Sequence, residues 1–214
     1  MVRNKHPEET INLILDVSLN LFMEKGYDNT TIQDIINGLG GLSKGAIYHH
    51  FKSKDEIYAA VMGMIEKRST QHYDSILHNS SLNGIGKLRA MLESSYSNPN
   101  TLAFFKMCSS QLQDPKFLYA QIVSNYQVAS PLYLQPVIEE GIRDGSIQTD
   151  YPKELAEVIL TLMNVWISPI TSKSSIEEIE RKMYFFKHIL DSLGIIIIDK
   201  DMIDKTIKHI KSYF

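Results

Sequence analysis

A group of residues suited to contact with DNA lies in the first quarter of the chain. Lys44 carries a positive charge, and it is followed by Gly45 and Ala46, whose small side chains let a helix come close to base edges. Tyr48 and His49 follow, and both can reach phosphates or bases from the outer part of the helix. The chemistry that these residue types predict is non-covalent recognition of nucleic acid.

The charge around these residues favours a local contact with phosphate. No acidic residue occurs within 35–54, which also holds Lys52 and Lys54. Lys54 opens the next predicted helix, where free backbone amides already attract anions. Arg3 and Lys5 form a short basic arm that could follow an adjacent minor groove. The net charge of −3 argues against a protein that coats nucleic acid without specificity.

Two short helices separated by a glycine turn are predicted to position these side chains. Thr30 and Thr31 offer a side-chain cap for the first helix, and Ser43 can cap the second. The segment GLGG at 38–41 ends the first helix and forms the turn between the two, because glycine tolerates positive φ. This order is that of a helix-turn-helix, whose second helix enters the major groove. The residues predicted to pack the two helices together are Ile35, Leu39, Leu42 and Ile47.

The remaining sequence predicts an all-α protein of about nine or ten helices. Only 11 Gly and 7 Pro occur in 214 residues, and long amphipathic stretches follow residue 70. We expect a DNA-binding domain over 1–52 and a helical effector-binding and dimerisation domain over 53–214, with helix 53–70 connecting them. Pro131 and Pro136 predict a kink or division of one long helix. Further helices are expected near 84–97, 101–112, 116–143, 152–168, 175–193 and 200–212, and 195–198 is expected to be a buried connector.

The stretch from Ile14 to Val61, with the string LSKGAIYHHFKSKDEIYAAV at its centre, resembles the TetR family of transcriptional regulators. The resemblance implies a homodimer whose reading helix faces DNA. It places Thr31 and Lys54 at phosphate contacts. The chain departs from the family pattern at two positions. Gly41 makes the turn one residue longer than usual, and Ile36 stands where the family usually has alanine. The positions that match DNA-facing residues of the family are Lys44, Gly45, Ala46, Tyr48 and His49; Tyr48 could instead pack within the small domain.

The same resemblance implies a pocket for a small molecule in the carboxyl-terminal part. That part is rich in aromatic and methionine side chains, which at helical spacing are equally compatible with an ordinary core. We expect the effector to be apolar or amphipathic. The candidate ligand-binding residues are Phe104, Met107, Tyr126, Met163 and Trp166.

A dimer interface is predicted from surplus apolar surface on the last long helices. From Ile176 to Leu193, apolar residues recur at alternating steps of three and four, and further apolar side chains lie beside that stripe. A helix that is apolar on more than one face must be buried on more than one face. The candidate interface residues are Leu162, Phe185, Phe186, Ile189 and Leu193.

Other functions find little support in the sequence. No nucleophile, phosphate-binding or dinucleotide motif occurs, so we expect no enzyme activity and no cofactor. The adjacent His49 and His50 diverge on a helix, and Cys108 is the single cysteine, so no metal site is expected. The chain shows neither a signal peptide nor a membrane span, which predicts a cytoplasmic protein.

The sequence therefore predicts a homodimeric repressor that binds double-stranded DNA at a palindromic operator and is released by a small effector. One alternative is a DNA-binding protein of the same fold that responds to a protein partner or acts structurally on the chromosome. Another is a helical binding module or enzyme without DNA activity. That last alternative requires the helix that carries Lys44 to be buried.

Overall fold

The structure is a computed structural model that describes residues 7–41, 44–98, 101, 103, 107, 115–168 and 174–211. The described residues form helices and connecting segments without any strand, which confirms the all-α prediction. In chain order the helices are α1 (Pro7–Lys25), α2 (Ile32–Gly38), α3 (Lys44–His50), α4 (Lys54–Leu77), α5 (Gly84–Ser97), α6 (Pro115–Ser124), the π-helix π1 (Asn125–Leu134), α7 (Gln135–Asp144), α8 (Pro152–Thr161), the π-helix π2 (Leu162–Ile167), α9 (Ile176–Ser192) and α10 (Lys200–Lys211).

The chain divides into two compact units. Unit 1 comprises Met1–Thr70 and Pro99–Met107, and unit 2 comprises Gln71–Asn98 and Cys108–Phe214. The domain boundary between residues 52 and 53 stays a prediction. Most of helix 101–112 falls outside the described residues.

Unit 1 is built on isoleucines from four helices. Ile14 of α1, Ile35 of α2, Ile47 of α3 and Ile57 of α4 are each fully buried. Burying apolar area is the main stabilising contribution available to such short helices, because α2 and α3 are too short to be stable alone. Leu39 is buried as well, as the sequence predicts, whereas Leu42 lies outside the described residues.

Unit 2 contains an unusually close crossing of α5 and α7. A Cβ atom added to Gly84 would lie 2.2 Å from the Gly141 Cα, so only glycine permits this approach. Beside the crossing, the buried Lys87 ammonium donates to both Glu140 carboxylate oxygens at 2.7 Å. The Gly84 amide donates to Asp144 at 2.7 Å and so gains a partner at the start of α5.

The helix that holds Pro131 changes its hydrogen bonding where the sequence predicts a kink or division. Within π1 the wider turn is closed by the Gln135 amide, which donates to the Ser130 carbonyl five residues earlier. Proline lacks an amide hydrogen and displaces the preceding turn, so a widened turn accommodates it. The segment 195–198 is a connector in which only Ile196 is exposed.

In the portion of the chain that the structure describes, no helix combines the length and apolar character that crossing a membrane requires.

Candidate nucleic-acid interface

A capped start and a glycine turn position α2 and α3. The Thr31 hydroxyl accepts from the Asp34 amide at 3.1 Å, and the Asp34 carboxylate accepts from the Thr31 amide at 2.8 Å. These reciprocal bonds satisfy two amides that the helix itself leaves unpaired. After α2 the chain turns through Gly40 and Gly41, with φ of +60° and +138°. The second value lies in a region that side chains rarely allow, so the extra turn residue must be glycine.

The reading helix α3 is anchored on one side and exposed on the other. Ile47 is fully buried, whereas Lys44, Gly45 and His49 are exposed. Tyr48 is 43% exposed, and its ring centroid lies 5.7 Å from the Lys44 ammonium. The structure therefore brings these predicted residues to one solvent-facing side. The helix that carries Lys44 is thus not buried, and burial of this helix is the condition that the last alternative requires.

Ala46 lies at the margin of this exposed side. It is half-buried, between the exposed Gly45 and the buried Ile47. Ser43, Arg3 and Lys5 lie outside the described residues.

Lys54 is held within unit 1. Its ammonium donates to the Tyr27 carbonyl at 2.8 Å and lies 4.1 Å from the Tyr27 ring centroid. The Tyr27 hydroxyl donates to Asp55, and this hydrogen bond raises the pKa of Tyr27 to about 12. The structure thus ties the start of α4 to the loop after α1. Sequence reasoning missed Tyr27; its only sequence signal is an aromatic residue next to the helix-ending Gly26.

Acidic side chains next to the reading helix are engaged in backbone contacts. The Glu56 carboxylate accepts from the Lys52 amide at 2.7 Å, and the Glu56 amide donates to the Ser53 hydroxyl at 3.2 Å. The bonds from Thr31, followed by the nearby Lys25, lower the pKa of Asp34 to about 2. Both carboxylates therefore serve the helix starts, and the face that carries Lys44 keeps the positive charge.

The predicted ligand-binding residues are divided between the two units. Tyr126, Met163 and Trp166 belong to unit 2, where the Tyr126 hydroxyl lies 2.9 Å from the Thr161 hydroxyl and Met163 is buried. Met107 belongs to unit 1: it is buried in that core, and its carbonyl accepts from the Tyr58 hydroxyl at 3.2 Å. The structure does not group Met107 with the other three. Phe104 lies outside the described residues.

The predicted interface residues differ in their exposure. Phe185 and Leu193 are 54% and 56% exposed, and Leu162 and Ile189 are half-buried. Phe186, the next residue along α9, is 1% exposed and belongs to the core of unit 2. Phe185 also contacts Trp166, with ring centroids 5.9 Å apart. The structure therefore leaves an apolar strip on α9 without Phe186.

No group of three or more His, Cys, Asp or Glu residues with metal-binding geometry is found within the described ranges.

Comparison with known proteins identifies the same amino-terminal segment. The family described as "Bacterial regulatory proteins, tetR family" matches residues 14–61. The transcriptional repressor KstR2 of Rhodococcus jostii is 28% identical over 149 residues, which cover 67% of this chain and 70% of the relative. The uncharacterised regulator YhgD of Bacillus subtilis is 27% identical over 153 residues, covering 70% and 78%. The fold is similar to that of reduced E. coli NemR, with a TM-score of 0.58 at 15% identity and 96% coverage of both chains.

Proposed function

Since the chain belongs to the TetR family and is a DNA-binding transcriptional regulator, we propose that it is a repressor that leaves a palindromic operator when a small apolar or amphipathic effector binds. The proposal includes action as a homodimer in the cytoplasm, where the operator is. The relative KstR2, which is named a repressor, supports the direction of regulation.

The observation that carries the proposal is the exposed side of α3. Lys44 can donate to guanine or to phosphate, and Ala46 can contact a thymine methyl group. Tyr48 and His49 extend this side toward phosphates or base edges. Gly45 lets the helix approach the groove floor, because it has no side chain to hold it away. Thr31 and Lys54 are proposed to contact phosphate at the edges of this surface.

The dimer is proposed to form through α8, π2 and α9. Phe185 is exposed on α9 and Leu193 just after its end, and Ile189 of α9 and Leu162 of π2 are partly exposed. Two such helical faces related by a twofold axis form a self-complementary interface. The same symmetry supplies two reading helices for the two halves of a palindromic operator.

Release by an effector is proposed to be a population shift. A ligand in unit 2, next to Tyr126, Met163 and Trp166, favours protein conformations whose reading helices no longer match successive major grooves. The ligand shifts the population only to the extent that its affinity differs between the two conformations. Effector binding and release from the operator must therefore change together.

The experiment starts by selecting bound fragments from the source genome and measuring affinity for the enriched operator. Ala46→Glu should abolish binding, because a carboxylate is brought to the DNA-facing side of α3. Ala120→Glu adds the same charge at an exposed position of α6 and should leave binding unchanged. Lys54→Ala should weaken binding to all sequences alike. A folded Ala46→Glu protein with normal operator affinity would contradict the groove assignment.

The dimer is tested separately by adding charge to the strip on α9. Phe185→Glu combined with Ile189→Lys should yield monomers in sedimentation experiments and lower operator affinity. Val128→Glu with Leu132→Lys is the matched control, since these residues are also exposed, apolar and four apart. A well-folded dimer of the Phe185 and Ile189 variant would place the interface elsewhere.

A further inference from the structure

A cleft lies between the later parts of α5 and α10 in unit 2. The two helices pack together, and near their starts the Arg89 guanidinium donates to the Ile197 carbonyl and to Asp199, whose carboxylate caps α10. Further along both helices, three residues of α5 and five of α10 line a cavity of about 400 Å³. This volume is in the range of small-molecule sites. None of the lining residues belongs to the DNA-facing side of α3, to the predicted effector-binding residues or to the strip on α9.

The floor of the cleft is largely apolar. Met202 is 3% exposed, and the Tyr96 hydroxyl is buried, so Tyr96 contributes its ring. Thr206 is buried as well, and its hydroxyl already donates to the Met202 carbonyl at 2.7 Å. A polar group of a ligand would lose its hydration here without gaining a donor, which is costly. The floor therefore favours an apolar portion of a ligand.

The rim of the cleft is charged. Glu93 of α5 and Lys205 and Lys208 of α10 are all exposed there. Lys205 forms an ion pair with Asp201 at 2.6 Å, and Glu93 lies close enough to act on the charge of Lys205 as well. Lys208 makes no ion pair with any residue that the structure describes. The rim thus offers one ammonium whose charge is not yet balanced.

We propose that this cleft binds a small amphipathic anion: a monocarboxylate whose charged end lies at Lys208 and whose apolar portion lies on Met202 and the Tyr96 ring. An ammonium and a carboxylate form a charge-assisted hydrogen bond, which neither a neutral nor a cationic ligand can make with Lys208. The carboxylate of Glu93 is a poor partner for a cation, because Lys205 already lies near it. The proposal is independent of the repressor proposal, since it uses no DNA-facing residue.

Lys208 also has an ordinary role, which the test must separate from ligand binding. It lies in the last turn of α10, where the free carbonyl groups favour any positive charge. Lys211 shares this last turn and is exposed too, but it does not line the cleft. Lys211→Met is therefore the matched control for Lys208→Met.

The first experiment measures binding of octanoate, 1-octanol and octylammonium to the full chain by isothermal titration calorimetry. The three probes have the same chain length, and octanoate should bind most tightly. Lys208→Met should weaken octanoate binding by about 2- to 5-fold, the range for one partly exposed charge pair. Lys211→Met should leave it unchanged. Equal octanoate affinity of these two variants would overturn the proposal, as would tighter binding of either other probe or failure of octanoate to bind the wild-type protein.

A change in the opposite direction is expected from Glu93→Gln. This substitution removes the carboxylate of the rim and the repulsion that it exerts on a bound anion, so octanoate should bind more tightly. A general loss of structure cannot raise affinity in one variant and lower it in the other. Weaker octanoate binding by Glu93→Gln would contradict the assignment of an anion to this rim.

Nuclear magnetic resonance of methionine methyl groups locates the bound probe. Met202 lines the cleft, whereas Met163 is one of the predicted effector-binding residues. Octanoate should shift the Met202 signal, which Met202→Leu identifies, and leave the Met163 signal in place. A shift of the Met163 signal without one of Met202 would overturn the cleft assignment. Failure of the protein to bind any genomic fragment would contradict the repressor proposal alone, because these measurements need no DNA.

Discussion

The two units place polar groups in opposite environments. Unit 1 exposes Lys44, Tyr48 and His49 on a short helix that is held by one buried isoleucine. Unit 2 buries the Ser94 and Ser130 hydroxyls, and its helices α5 and α7 approach closely at Gly84 and Gly141. A DNA surface needs charge in contact with solvent, whereas a small-molecule site needs few polar groups in an apolar interior.

The difference extends to how the helices are held. In unit 1, α2 and α3 depend on a cap, a glycine turn and a few buried isoleucines, so their surface tolerates substitution. In unit 2, α5 and α7 meet backbone to backbone at Gly84 and Gly141, and a small change at that point must move an entire helix. The variants below test this contrast in order of expected effect.

The largest effect is expected from Gly84→Ala. Its methyl group would lie 2.2 Å from Gly141 atoms, so the helices must separate and the neighbouring core must repack. We expect the free energy of unfolding to fall by about 3 kcal/mol, the upper part of the range for overpacked cores. Chemical denaturation monitored by circular dichroism measures this change.

The matched control lies in the other unit. Gly63 is a helical glycine in α4, and a Cβ atom there meets nothing within 4 Å. Gly63→Ala should raise the free energy of unfolding by about 1 kcal/mol, because alanine is the better helix former. Equal effects of the two alanine substitutions would remove the contrast between the units.

A smaller effect is expected at the ion pair beside the crossing. Glu140→Ala leaves the Lys87 ammonium buried without its partner and should cost about 2 kcal/mol, below the value for a fully buried pair because Glu140 is partly exposed. Replacing both residues by methionine should recover most of this loss. Chemical denaturation of both variants measures how much stability the double replacement recovers. A double variant as unstable as Glu140→Ala would show that the ion pair itself is required.

The smallest effect is expected at the cap of α2. Thr31→Ala should cost about 1 kcal/mol at neutral pH, since the Asp34 amide loses its partner. The same bonds hold the pKa of Asp34 near 2, below its ordinary 3.8, so their stabilising contribution is present above pH 4 and is lost as the pH falls toward 2. Urea unfolding at pH 7 and pH 3 should therefore show a smaller difference between wild type and variant at the lower pH.

Much of the helical pattern was predictable from the sequence. The expected helix 84–97 is confirmed as Gly84–Ser97, and the glycines after α2 take the positive φ that the turn requires. Such features are local, because they depend on caps, on periodicity and on backbone freedom at single residues. The extent of α4 was underestimated, since its apolar pattern weakens after residue 70 while the helix continues to Leu77.

The candidate site was predictable only in part. Exposure of Gly45 and His49 follows from the position of the buried Ile47, because residues two positions away lie on the other side of a helix. The attachment of Lys54 to Tyr27 could not be read from the sequence, because the two residues are 27 positions apart and meet only when α4 packs beside α1. Phe186 and Phe185 are neighbours on one apolar helix, and only the packed core shows which of them is buried.

The sequence by itself determined most of the helical pattern, the capped start of α2 and the reading helix with its family motif, because each depends on residues close together in the chain. Only the tertiary structure decided that Gly84 meets Gly141, that Met107 belongs to the core of unit 1, and that Ser94 and Ser130 remain buried without partners. These outcomes depend on which faces pack together and in what register, and that choice is made by contacts distant in sequence, where burial of apolar area outweighs local preference.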